Sequence, residues 1–215
     1  MILDPDQLST TDRYKLLIGA IVPRPIAWVS TISPDGKLNL APFSFFNGIG
    51  SNPMTLLFCP VNNDDGTEKD TLRNAKTKSE GGVGQFVVNV ATEAMARQVS
   101  ATSEPLDYGS SEFELAGLTP TPSTRVQPPR VEESPISFEC ETLQIVRTNP
   151  GAPGGGNIVI GRVLLVHAKD GLIDARHRVD PEALRAIGRM GGPTYCTTRD
   201  RFNLPRGRAA LDNDR

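Results

Sequence analysis

The run Ala41-Pro42-Phe43-Ser44-Phe45-Phe46-Asn47-Gly48-Ile49-Gly50-Ser51 crowds aromatic rings, hydroxyls, an amide and glycines into a few positions. Such a run can hold a planar ring with a polar edge. The hydroxyl, the amide and the backbone supply hydrogen bonds along that edge, and the aromatics supply an apolar wall. A bulged strand with core aromatics has the same composition. A second run, Thr67-Glu68-Lys69-Asp70-Thr71-Leu72-Arg73-Asn74, starts an expected helix. A helix start offers unpaired N–H groups to an anion, and Lys69 and Thr71 add a cation and a hydroxyl. Glu68 and Asp70 oppose a phosphate there unless they point away. Arg24 stands between Pro23 and Pro25, where a stiff backbone aims its guanidinium. It is a candidate for bidentate phosphate binding or a surface residue at a strand entry.

Other chemistries find little support. His167 and His177 are the only histidines, and they lack metal-ligand spacing. No G-x-S-x-G elbow exists, which argues against a Ser-His-Asp hydrolase. No G-x-G-x-x-G fingerprint exists, so no Rossmann nicotinamide site is read.

These runs need elements to position them. Asp12 to Gly19 reads as a short helix. Ile26 to Ile32 reads as a strand, rich in β-branched residues. Pro34-Asp35-Gly36 is a turn, and Lys37 to Phe46 continues as a partly irregular second strand. Met54 to Val61 and Gln85 to Ala91 are further strands. Thr67 is the expected N-cap of a helix reaching Lys78, with Asp70 completing a capping box. Thr92 caps another through Thr102. Pro105 to Pro135 reads as a long loop, because its prolines forbid regular interiors. Ile136 to Thr148 and Asn157 to Lys169 are two long strands joined by a flexible Pro-Gly-rich connection. Asp180-Pro181 starts a late helix, and Trp28 reads as core. Five or six strands and two or three helices without βα alternation predict a mainly β antiparallel barrel with added helices.

Composition narrows the class. The 215 residues suit one domain. A net charge of −2 offers no field for nucleic acid or an anionic membrane. No apolar run approaches the roughly 20 residues of a membrane span. The N-terminus lacks the pattern of a signal peptide. Cys59, Cys140 and Cys196 are odd in number and form no C-x-x-C, as expected of a reduced cytoplasmic protein.

Taken in order, the segments resemble the flavin reductase-like family of FMN-binding split barrels. The matching residues begin with Pro23 to Thr31, Asp35-Gly36 and Asn39 to Asn47. Ser51-Asn52-Pro53, Lys69-Asp70-Thr71 with Asn74, and Phe86 to Asn89 follow. Phe113 with Gly117-Leu118, Glu133, Glu139-Cys140, Asn157 to Val163 and Arg189 to Tyr195 complete the series. The resemblance spans roughly residues 13 to 205 as one domain, with 206–215 a polar tail expected to be disordered. It implies an antiparallel split β-barrel and a homodimer with FMN at the subunit interface. It places residues 41–47 along the isoalloxazine, and Ser51 and the 69–74 helix start on the phosphate or ribityl chain. The expected cofactor-binding set is therefore Arg24, Asn39, Ala41, Pro42, Phe43, Ser44, Phe45, Phe46, Asn47, Ser51, Lys69, Asp70, Thr71, Asn74 and Asn157. The implied activity is NADH- or NADPH-dependent flavin reduction, with electrons passed to free flavin, a partner oxygenase or oxygen. Two positions depart from the family. Gly154-Gly155-Gly156-Asn157 replaces a Gly-Asp-His type sequence, and Glu112 replaces a lysine. Both departures bear against fast NAD(P)H turnover, and the loss of the histidine favours the alternative of an FMN electron carrier or flavin store without nicotinamide turnover. A third reading is an oxidase or oxygenase whose substrate the 105–135 loop covers.

Overall fold

The computed structural model describes residues 1–211. Twelve strands form in chain order. They are β1 (Arg24–Pro25), β2 (Ala27–Ile32), β3 (Leu38–Phe43), β4 (Phe46–Ser51), β5 (Met54–Phe58) and β6 (Gln85–Val90). Then come β7 (Pro120–Thr121), β8 (Arg130–Val131), β9 (Ile136–Arg147), β10 (Asn157–Ala168), β11 (Ile187–Arg189) and β12 (Tyr195–Thr197). The helices are α1 (Thr10–Ala20), α2 (Asp70–Ala75), α3 (Ala96–Ala101), α4 (Glu112–Ala116) and α5 (Pro181–Leu184).

Seven strands make one antiparallel sheet in the order β3-β2-β6-β9-β10-β5-β4. The expected single strand over 37–46 is two strands, and the break matters. β3 pairs with β2, whereas β4 pairs with β5 at the far edge, Phe46 opposite Phe58. Only Ser44 and Phe45 join them. Three Cα steps reach about 11 Å, whereas six strand spacings in a flat sheet would separate the edges by about 29 Å. The sheet must therefore curl until its edges approach at Ser44-Phe45. It does not close, because β3 and β4 form no ladder. This is a mainly β split barrel.

Alternation along β2 explains the two cores. Ala27 and Val29 face inward to Phe43, Phe58, Phe86, Val88 and Val159. Trp28 faces outward and is buried by Met95, Val99, Phe113, Val131 and Ile187 from the segments wrapped over that face. Its indole N–H donates to Thr102 Oγ1 at 2.8 Å. Aromatic rings tile the interior, with Phe58 edge-on to Phe86 at 5.1 Å between centroids.

Several local expectations need correction. Thr67 caps no helix: its N–H and hydroxyl bond Asp65, and α2 begins only at Asp70. Thr92 makes no cap bond either, and a 3₁₀ turn, Glu93–Met95, precedes α3. The 105–135 loop contains α4, ended by Gly117 at φ 62°, and the β7–β8 pair. The Pro-Gly-rich connection is pinned, not loose, since Asn62 binds the Gly155 and Ala152 carbonyls through its backbone and side-chain N–H groups. The Asp180 cap forms as read, but α5 is one turn long because Arg185 turns left-handed. Within the expected tail, Gly207–Ala210 is a 3₁₀ turn, and 212–215 lie outside the described residues.

Candidate functional site

The curling that joins β3 to β4 leaves a cavity of about 790 Å³ beside the crossing. That is within the roughly 300–1,000 Å³ typical of small-molecule sites. One wall is the end of β3 and the crossing itself: Asn39, Ala41, Pro42, Phe43, Ser44 and Phe45. Facing it are Lys69, Asp70 and Thr71 at the start of α2. These nine expected residues meet in one place.

The remaining expected residues stand elsewhere. Phe46 packs against the inner core, while Asn47 and Ser51 are exposed along β4. Asn74 is buried and donates to Thr31 Oγ1 at 3.1 Å. Asn157 is buried outside the cavity wall, donating to the Pro60 carbonyl and Asn62 Oδ1. It orders the 60–63 segment, from which Val61 and Asn63 line the cavity.

Arg24 differs most from its expected role. It is 3% exposed, and its guanidinium donates to the carbonyls of Ile18, Ile21 and Met190. Its Nε donates to Ser44 Oγ at 3.2 Å. The guanidinium thus clasps the α1 end and β11 rather than standing free for a phosphate. Its effect reaches the cavity through Ser44. Because the hydroxyl oxygen accepts from Arg24, its hydrogen remains to donate to a ligand.

A second chain of bonds sets the opposite wall. Asn39 Nδ2 donates to Thr71 Oγ1 at 2.9 Å and to Thr31 Oγ1 at 3.2 Å. Thr71, like Ser44, accepts and so keeps a hydrogen to donate. Lys69 Nζ donates to Asn63 Oδ1 at 3.1 Å and forms no ion pair among the described residues. The six-residue α2 is too short for a strong terminal dipole, so Lys69 and Thr71 carry the anion-binding capacity here.

Five carboxyl groups also line the cavity: Asp64, Asp65, Asp70, Glu104 and Glu112. Glu112 is buried, with Oε2 accepting from the Leu40 N–H at 2.8 Å. Burial pushes its pKa up, and the nearby Asp70 adds to this against the Leu40 hydrogen bond. Burial likewise raises Asp70, opposed by Arg73 and Lys69. The Cys59 thiol, also on the wall, is raised by burial. Of these, Asp70 belonged to the expected set and Glu112 stood out as a departure from the family, while Asp64, Asp65, Glu104 and Cys59 escaped the sequence reading of the site.

The donor set fits a flavin. Ser44 and Thr71 present hydroxyl donors, Asn39 its amide oxygen as an acceptor, and Ala41, Pro42, Phe43 and Phe45 an apolar wall. The phosphate end has one cation, Lys69, within this chain's own wall.

The split barrel and this donor-lined cleft define a flavin-handling class of protein. The family model of the flavin reductase like domain matches residues 19–183, and the chain belongs to that family. An uncharacterized protein of Aquifex aeolicus is 42% identical over 85% of this chain and 88% of its own. The nitrilotriacetate monooxygenase component B of Bacillus cereus superposes with TM-score 0.87 at 33% identity, covering 95% of this chain and 98% of that one. The 2-nitrobenzoate 2-nitroreductase NbaA of Pseudomonas fluorescens superposes with TM-score 0.84 at 31% identity, covering 97% of each. A flavin-related function follows from the family and these neighbours.

Proposed function

We propose that the chain binds FMN in the cavity beside Ser44 and acts as an NAD(P)H-dependent flavin reductase. The observation carrying this reading is the Arg24–Ser44 hydrogen bond, which occupies Ser44 Oγ as an acceptor and leaves its hydrogen to donate at a cleft walled by Pro42, Phe43 and Phe45. When bound, FMN supplies the hydride acceptor; the protein supplies position and polarity. Ser44 and Asn39 orient the polar edge of the ring, and Pro42 and Phe45 exclude water from its face. Lys69 and Thr71 hold the phosphate. Arg24 and Asn157 serve as positioning residues through Ser44 and the 60–63 segment.

The same reading makes the protein a cytoplasmic homodimer. Tyr14, Leu16, Leu17, Ile21 and Val22 expose apolar surface from α1 to its end, and Tyr14 meets Phe45 edge-on at 6.5 Å. A second copy covering that surface would also bring further groups to the phosphate end. Because the Bacillus cereus neighbour is a monooxygenase component, an oxygenase is the favoured electron acceptor. A solution mass of one chain with FMN bound would rule the interface site out.

The alternative, an FMN electron carrier without nicotinamide turnover, draws support from Glu112, a buried carboxyl where the family commonly has lysine. One spectrum separates the readings. The protein is mixed with FMN, desalted, and treated anaerobically with NADH and NADPH. A retained flavin spectrum that bleaches supports the reductase; retention without bleaching supports the carrier. Absence of binding in a direct titration overturns both.

A further inference from the structure

A second cavity, of about 330 Å³, lies where the start of β9 and the end of β10 meet β8. The register there sets His167 opposite Ser137 and Ala168 opposite Ile136. No group on its wall belongs to the FMN reading.

The charges around it are unequally satisfied. Glu139 is fully buried, but both its oxygens are occupied. Oε1 accepts from the Thr124 N–H at 2.7 Å and meets His167 Nε2 at 2.5 Å, and Oε2 accepts from the Arg125 N–H at 2.6 Å. Glu132 is exposed and turns an oxygen to the Thr121 hydroxyl. Arg130 and Lys169, in contrast, form no ion pair among the described residues. Lys169 Nζ donates only to the Glu133 carbonyl, and Arg130 Nη2 only to the Pro122 carbonyl. Arg130 Nε is buried without any partner among the described residues. A buried N–H left unpaired is costly, and an acceptor supplied by a ligand removes that cost.

The wall is mainly polar, and its apolar part is Pro135 beside the β10 backbone, since Val166 and Ala168 alternate to the face opposite His167. Two unpaired cations in a small, mainly polar groove suit a small anion. A dianion suits the site less, because Glu132 and the buried Glu139 stand close by. We propose that this cavity binds a small organic monocarboxylate. Its carboxylate bridges Arg130 and Lys169, and its hydrocarbon part lies against Pro135. The volume holds one ring-sized molecule and is near the lower limit of about 300 Å³ for such sites.

Benzoate is the probe, titrated into the full chain while the imidazole C–H resonances of its two histidines are followed by NMR. His167 lies on the wall, and His177, in the turn after Ile173, is the internal control. The expected result is a saturable shift of His167 with His177 unmoved. Lys169→Gln and Arg130→Gln should each weaken binding about tenfold, as loss of a charge-assisted hydrogen bond does. Lys169 is exposed, so its variant tests the idea even if Arg130→Gln does not fold. An unmoved His167 at benzoate concentrations of roughly tens of millimolar overturns the proposal. So does unchanged affinity in Lys169→Gln, or equally tight competition by inorganic phosphate.

Discussion

Arg24 and Ser44 are twenty positions apart, yet Nε of one donates to Oγ of the other at 3.2 Å. That bond links the anchoring of α1 and β11 to the crossing between the sheet edges. Ser44→Ala should lower the melting temperature modestly, because it leaves the buried Arg24 Nε–H without its acceptor, and weaken FMN binding about three- to tenfold, the effect of one neutral hydrogen bond. Arg24→Gln should lower both, because it also releases the carbonyls of Ile18, Ile21 and Met190. Fluorescence titration with FMN and a thermal melt read the two effects. Wild-type affinity in Ser44→Ala would remove the proposed ring contact.

Glu112 gives a stability effect whose sign depends on pH. Burial raises its folded-state pKa, so the folded chain favours the neutral acid. Its contribution is complete below the ordinary carboxylate range and is lost as pH rises through the raised value. Glu112→Gln keeps an acceptor for Leu40 and removes the charge. The variant should be more stable than the parent at pH 7–8, by on the order of 1 kcal/mol, with the gap closing toward about pH 4. Denaturant melts across that range check this; a gap independent of pH would contradict it.

Glu139 acts in the opposite direction. Burial alone would raise it, but the N–H groups of Thr124 and Arg125 and the His167 imidazole outweigh burial and hold it low. A depressed acid stabilises above its unfolded pKa and loses that contribution as pH falls through the folded value. Acid unfolding should therefore steepen below about pH 4.3. Glu139→Gln should cost about 3 kcal/mol near neutrality and flatten that limb. An acid limb of unchanged slope would exclude Glu139 as its source.

Gly161 lies against an aromatic ring. A Cβ there would sit 2.3 Å from Phe86 Cζ. Gly161→Ala should destabilise by about 1–3 kcal/mol, as overpacking does. Adding Phe86→Leu should recover part of that loss, read as a coupling in the double-mutant cycle. Strict additivity would mean that the two sites are not in contact.

The acidic wall bears on the choice of nicotinamide, given the reductase reading. Asp64, Asp65 and Glu104 are exposed on the cavity wall. The extra phosphate of NADPH would meet these carboxylates, so NADH should show the higher kcat/KM. The preference should narrow with added salt, which screens exposed charges. Steady-state kinetics at two ionic strengths test it, and a preference for NADPH would count against this account.

Local rules carried much of the architecture. Pro34-Asp35-Gly36 turns as its residues require, with Gly36 at φ 87°. Asp180 caps α5 through the N–H groups of Glu182 and Ala183. The apolar strands from Ala27 to Ala168 pair as a mainly antiparallel sheet. The helix start at Asp70 was not legible, because Asp65 competes locally for Thr67, the expected cap. The two-residue strands were too short to leave a periodic pattern.

The amino-acid order by itself determined where most strands and turns and the candidate ring-binding run fall, since those depend on neighbours within a few positions. It also determined the family, because many short matches keep their order along the chain. Only the tertiary structure decided that residues 44–45 cross between opposite sheet edges and that Arg24 is buried. It also placed Glu112 in the cavity wall and left Arg130 Nε without a partner. These facts depend on contacts between residues far apart in sequence, set by how the whole sheet curls, and no local pattern of residue types encodes that curvature.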